Sequence, residues 1–344
     1  MLGLVSGLVQ AAEPLKVIRI GVATGGVGSD PVRHGGTITA LAYTEGAVEQ
    51  EFKKDGVQVE WVFFKGAGPA VNEALVNKQL DFAYQGDLPS IVHRASGVKT
   101  QIILGTGVRS GLYLAVPPGS PIQRIEDLKG KKVALFKGTN LHLAAVRALA
   151  DKGLQERDVK FINLDFAAGN TALVTKDVDA AFSYVGVFDL RDKGLAKIIW
   201  SAADDSYRYT RQAALLVTED FAAAHPKAVQ RVVTTLVKTA RKYSEESKRS
   251  EVFELWGKAE HPEKVWREDF VGQPLRVRFS PLIDPFLVAS YQESARVGKE
   301  LKLVRGNPEI PRWFDARYLN TALKELQLES YWPAYGADGR LLNR

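Results

Sequence analysis

Three short turns carry the residues best suited to hold a ligand. Lys65-Gly66-Ala67-Gly68-Pro69, Gln85-Gly86-Asp87-Leu88-Pro89 and Lys137-Gly138-Thr139-Asn140 each follow an apolar run and precede a stretch of helical character. A strand that stops in such a turn presents the first N–H groups of the next helix, which have no intrahelical acceptor and carry the positive end of the helix dipole. The chemistry on offer is capture of an anion by neutral donors. Gly86 and Asp87 would turn helix-terminal N–H groups toward a cleft, with Asp87 either capping its helix or accepting a bond from a ligand ammonium or hydroxyl. Thr139 and Asn140 open another helix, as a cap or as oxyanion donors. Arg109 and Arg211 stand near two predicted crossovers between lobes, where a guanidinium could reach the cleft with a bidentate contact; a surface ion pair is the competing reading for each.

Catalytic alternatives find little support. The chain has 344 residues and no cysteine, so a thiol nucleophile, a thiolate metal site and a disulfide framework are excluded. Its five histidines (His34, His93, His142, His225, His261) include no pair at i,i+3 or i,i+4. Gly26-Val27-Gly28 and Gly105-Thr106-Gly107 lack the third glycine of a dinucleotide fingerprint. The net charge of +6 comes from dispersed basic residues without interleaved aromatics, which argues against a nucleic-acid groove and fits an anionic solute. No cofactor is expected.

The elements that must position these turns alternate. Strands are expected at 17–22, 57–64, 81–84, 101–107 and 111–116, with a helix over 37–53 and another ending near Gln79. A second set begins at 132–136, with strands at 159–164, 180–184 and 195–200, and helices over 142–152 and 167–175. Strand 213–218 and helices 219–224 and 226–247 return to the first set. Alternation of this kind implies parallel sheets covered on both faces, and ligands of such sheets collect at the carboxyl ends of the strands. The expected fold is therefore α/β, two doubly wound lobes with a hinge and ligand cleft between them and a helical C-terminal extension. Lobe one would comprise 13–108 and 210–344, and lobe two 109–209. The tail beyond Tyr331 is expected to pack loosely.

The order of motifs resembles the periplasmic solute-binding proteins of ABC importers, in the aliphatic-sulfonate, taurine and nitrate-like group. The matching residues are Gly66-Ala67-Gly68-Pro69, Ala74-Leu75, Leu80-Asp81-Phe82-Ala83, Gly86-Asp87-Leu88-Pro89, Ile125 to Ala134, Lys137-Gly138-Thr139, Val178-Asp179-Ala180-Ala181 and Trp313 to Tyr318. The resemblance implies a type II-like periplasmic binding fold, without catalysis, that takes up an organic sulfonate or sulfate ester and delivers it to a membrane permease. It also implies that the turns at Thr24-Gly25, Gly86-Asp87 and Gly138-Thr139-Asn140 line the cleft. A sulfonate suits such turns because it stays ionised and offers three acceptor oxygens to neutral amides, without a buried ion pair.

Two departures bear on the ligand. Tyr184 and Val185 stand where the group has a tryptophan and an acidic residue, which argues against an amine-bearing ligand like taurine; Tyr184 and Phe188 could stack on an aromatic or alkyl portion, or belong to the core. The loop Ser29–Gly36 is longer than usual and could bring Arg33 or His34 over an anion as a lid, or be a flexible insertion. Residues 1–12, an apolar run ending in Gln10-Ala11-Ala12, are expected to be the remnant of an export signal, which gives a periplasmic, monomeric protein. The competing functions are an enzyme on the same bilobal fold, like the thiamine-pyrimidine-precursor synthases that resemble this group, and a binder of another small oxyanion such as nitrate.

Overall fold

The computed structural model describes residues 14–24, 35–205, 207–258 and 261–342. The first sheet contains β1 (Val17–Ala23), β2 (Gln58–Phe64), β3 (Phe82–Gly86) and β4 (Thr100–Gly105). The second contains β5 (Tyr113–Val116), β6 (Lys132–Leu135), β7 (Lys160–Asn163), β8 (Ala180–Ser183) and β9 (Lys197–Ser201), and β10 (Ala213–Thr218) returns to the first. Strand orders are β2-β1-β3-β10-β4 and β7-β6-β8-β5-β9. The two lobes repeat one plan, with a parallel trio β2-β1-β3 or β7-β6-β8 and one antiparallel strand beside it, β10 or β5.

That antiparallel strand corrects the expectation of purely parallel sheets. Alternation with helices forces parallel pairing only while the chain winds within one lobe; β5 and β10 arrive from the other lobe and enter from the opposite end. The two crossings lie side by side, where Ser110 N–H donates to Arg211 O at 3.0 Å and Arg211 N–H to Ser110 O at 2.9 Å. This short ladder ties together the two connections between the sheets.

Each lobe buries its own apolar strand faces. Ile18, Ile20, Phe82, Leu215 and Val217 join one core, and Leu114, Val133, Leu135, Ala180 and Phe182 the other. The helix expected over 37–53 breaks into Ile38–Glu45 and Ala47–Phe52 at Gly46, whose φ of 62° no ordinary helix residue adopts. The tail is not loose. Trp332 is buried, its indole donating to Ser244 Oγ at 2.9 Å, and Tyr335 N–H donates to Asp284 Oδ2 at 2.9 Å. A tryptophan that finds both a core and an acceptor anchors a terminus that composition alone reads as mobile.

No described helix is long and apolar enough to cross a membrane.

Candidate functional site

A cavity of about 150 Å³ lies between the lobes, at the carboxyl ends of both parallel trios. Ala23 and Thr24 follow β1, Gly86 closes β3, Thr139 and Asn140 follow β6, Phe166 follows β7, and Tyr184 and Val185 follow β8. Helices that start at Ile38, Ala67, Asp87, Asn140 and Phe166 all begin at its wall. Thr37 and Asp165 cap their helices with their side chains, accepting from Ala40 N–H at 3.0 Å and Ala168 N–H at 2.8 Å. The Ala67, Asp87 and Asn140 helices have no side-chain cap of that kind; the Ala67 and Asn140 helices also carry no acidic residue in their first turn, whereas the Asp87 carboxylate sits at the start of its own helix.

Three charged groups line the described wall: Arg211, Asp269 and Arg278. Arg278 Nη2 donates to Asp269 Oδ2 at 2.8 Å, both side chains being almost wholly buried, and stacks over Phe270 with its guanidinium carbon 3.8 Å from the ring centre. Tyr113 Oη donates to the other oxygen, Oδ1, at 2.6 Å. Arg211 Nε donates to Gly111 O at 2.7 Å. Two guanidiniums against one carboxylate leave a positive charge uncompensated. Burial pulls the Arg211 guanidinium below its ordinary range, with the Asp269 charge opposing. Burial also pushes the Tyr84 phenol up to about 12, opposed by Arg211 and Arg278, so Tyr84 is a neutral donor at the wall. Such a site is built for an anion.

The structure brings Thr24, Gly86, Thr139, Asn140, Tyr184 and Arg211 together around this one cavity. Asn140 reaches across it, Nδ2 donating to Gln212 O at 3.2 Å and its side chain resting against Gly86. The Thr139 hydroxyl turns back to donate to Phe136 O at 2.8 Å. Tyr184 packs on Phe166 with ring centres 4.4 Å apart, and its hydroxyl lies 2.9 Å from His261 Nε2. Gly138 stands just behind the wall, its α-carbon facing Pro69.

Other candidates fall elsewhere. Asp87 does not reach the cavity and is not the cap: Gly86 holds that position, and the buried Asp87 carboxylate accepts from Leu88 N–H at 2.7 Å and Ser294 Oγ–H at 2.6 Å. Burial raises this carboxyl, opposed by the nearby Arg147 charge. Arg109 turns away to stack on Tyr335 and Phe286, at 3.9 and 4.5 Å. Phe188 packs edge-on against Tyr113 in the core at 4.7 Å. Gly25, Arg33 and His34 lie outside the described residues.

Sequence reasoning missed Tyr84, Trp266, Asp269 and Arg278. The last three come from the C-terminal helical region, which reads as scaffold because its glycine turn at Gly272 links two helices and does not follow a strand. One signal was present. Gly111 lies beside the Ser110–Arg211 crossing, where a Cβ would lie 2.5 Å from both Asp269 Oδ1 and Tyr113 Oη, so only glycine lets this segment meet Asp269.

Comparison with known proteins agrees with this architecture. Residues 49–246 match the family model described as NMT1/THI5 like. An Escherichia coli (strain K12) protein provisionally named as aliphatic sulfonates-binding is 31% identical over 176 residues, 50% of this chain and 50% of that protein, so the match spans half the relative's length. A Bacillus subtilis (strain 168) protein with the same provisional name is 27% identical over 289 residues, 83% of this chain and 84% of that one. A crystal structure from Methylobacillus flagellatus KT, provisionally described as the periplasmic sulfonate-binding protein SsuA of a sulfonate ABC transporter, has a TM-score of 0.81 at 31% identity, covering 94% of this chain and 98% of its own. With more than half of its length matched by the family model, the chain belongs to the NMT1/THI5-like family.

Proposed function

We propose that the chain is the extracytoplasmic solute receptor of an ABC importer, closing two lobes on an organic sulfonate or sulfate ester and presenting the joined surface to a membrane permease. The observation that carries this is the cavity wall, which combines uncapped helix starts from both lobes with Arg211 and one unbalanced positive charge. Thr24, Gly86, Thr139, Asn140, Arg211 and Tyr184 form the binding surface, joined by Tyr84 and Trp266. The lobes divide at the Ser110–Arg211 ladder, with 13–108 and 210–344 on one side and 109–209 on the other. The receptor is a periplasmic monomer and carries out no reaction on its solute.

Names of the relatives support the sulfonate class. The test is calorimetric titration with alkylsulfonates, a sulfate ester, sulfate, nitrate and taurine. A sulfonate or sulfate ester should bind most tightly, and Arg211→Gln should weaken it by roughly 10- to 150-fold, the equivalent of one hydrogen bond to a charged group. Tighter binding of nitrate or sulfate than of every sulfonate and ester overturns the assignment.

A further inference from the structure

Besides Tyr84, three aromatic side chains line the cavity, two from the second lobe and one from the C-terminal helical region. Phe166 and Tyr184 come from the second lobe and lie with ring centres 4.4 Å apart. Trp266 comes from the short helix Glu263–Asp269 in the C-terminal region and completes the wall, 6.1 Å from His261, which itself holds Tyr184. These side chains are fixed in place. Tyr184 is tied through its hydroxyl, and Trp266 is 6% exposed and wedged against Trp256 at 5.3 Å. Gly35 makes room for the indole, since a Cβ there would lie 2.7 Å from Trp266 Cζ2.

We propose that the solute is an arylsulfonate, a sulfonate on a single planar ring that lies against Phe166, Tyr184 and Trp266. This rests on the sulfonate-receptor reading above and narrows its class. A flexible alkyl chain of equal carbon count would bury comparable apolar area but lose rotamer freedom in a rigid slot and gain no ring contacts. The carboxylate that could pair with an amine tail, Asp269, is already held by Arg278 and Tyr113.

The test compares benzenesulfonate with hexanesulfonate by calorimetric titration of the full chain, with sulfate as a further arm. Benzenesulfonate should bind about tenfold tighter, since aromatic contacts of this kind are each worth a few-fold in affinity. Phe166→Leu, at a partly buried position packed against the second-lobe core, should narrow that ratio, with an unchanged melting temperature confirming that the fold is kept. Hexanesulfonate binding as tightly as benzenesulfonate overturns the arylsulfonate assignment and leaves the sulfonate receptor standing. Binding of sulfate alone, with neither sulfonate, overturns the reading beneath it. An unchanged ratio in Phe166→Leu overturns the role given to this wall.

Discussion

Closure of the two lobes depends on a glycine with an ordinary backbone. Gly86 has φ −69° and ψ 167°, a conformation open to any residue, so alanine there adds no backbone strain. What excludes it is Asn140 of the opposite lobe: a Cβ on Gly86 would lie 2.6 Å from Asn140 Cγ and 2.7 Å from its Cβ and Nδ2. Asn140 cannot simply swing aside, because Nδ2 donates to Gln212 O across the cleft at 3.2 Å. Gly86→Ala should therefore overpack the closed state by about 1–3 kcal/mol, which weakens solute binding by roughly 5- to 150-fold. Alanine also restricts the unfolded chain by ~0.4–1 kcal/mol, so the melt without ligand should fall by less than the overpacking alone would cause. Calorimetric titration gives the first quantity and a thermal melt without ligand the second. Adding Asn140→Ala removes the obstructing side chain, so the double variant should bind better than Gly86→Ala alone. Wild-type affinity in Gly86→Ala, or the same fractional loss with and without Asn140, would refute this account of closure.

Two further outcomes follow from the same contacts. His93 is buried in the first lobe, with Gln85 Nε2 3.1 Å from Nδ1 and Thr100 Oγ1 2.9 Å from Nε2; burial, aided by the Arg94 charge, pushes its pKa down to about 3. The unfolded chain takes up the proton first, so stability is whole above the unfolded value near 6.5 and falls as pH drops toward 3. The slope is ~1.4 kcal/mol per unit while one proton separates the states. Urea melts from pH 7 to 5 should show His93→Gln losing that part of the slope, and identical slopes would remove His93 as its source. Between the second lobe and the C-terminal helical region, Arg191 pairs with Glu268, and Lys264 Nζ lies 2.7 Å from Asp192 Oδ2. These partly exposed pairs are worth ~0.2–1 kcal/mol each, so Glu268→Gln should cost less than about fivefold in affinity and nothing at high salt. A larger loss that salt leaves unchanged would mean that Glu268 acts on the fold instead.

The turns were legible in the sequence because their chemistry is local. Gly86, Thr139 and Asn140 sit where an apolar run ends and a helix starts, and a helix start exposes N–H groups whatever the rest of the chain does. Alternation of strands and helices likewise announced two lobes, and Ser110 and Arg211 lie on the two connections expected between them. Asp87 shows the limit of such reasoning. One residue after Gly86 on the helix, its side chain points to Ser294 in a helix more than two hundred positions away, not to the cleft. The Asp269–Arg278 pair, the wedged Trp266 and the direction in which Arg109 stacks are long-range facts of the same kind. Local backbone geometry is set by neighbours in sequence, and so the sequence alone determined where an anion could be met by amides. Which side chains complete the wall depends on packing between segments far apart in the chain, so only the tertiary structure decided the charge of the cavity and its aromatic face.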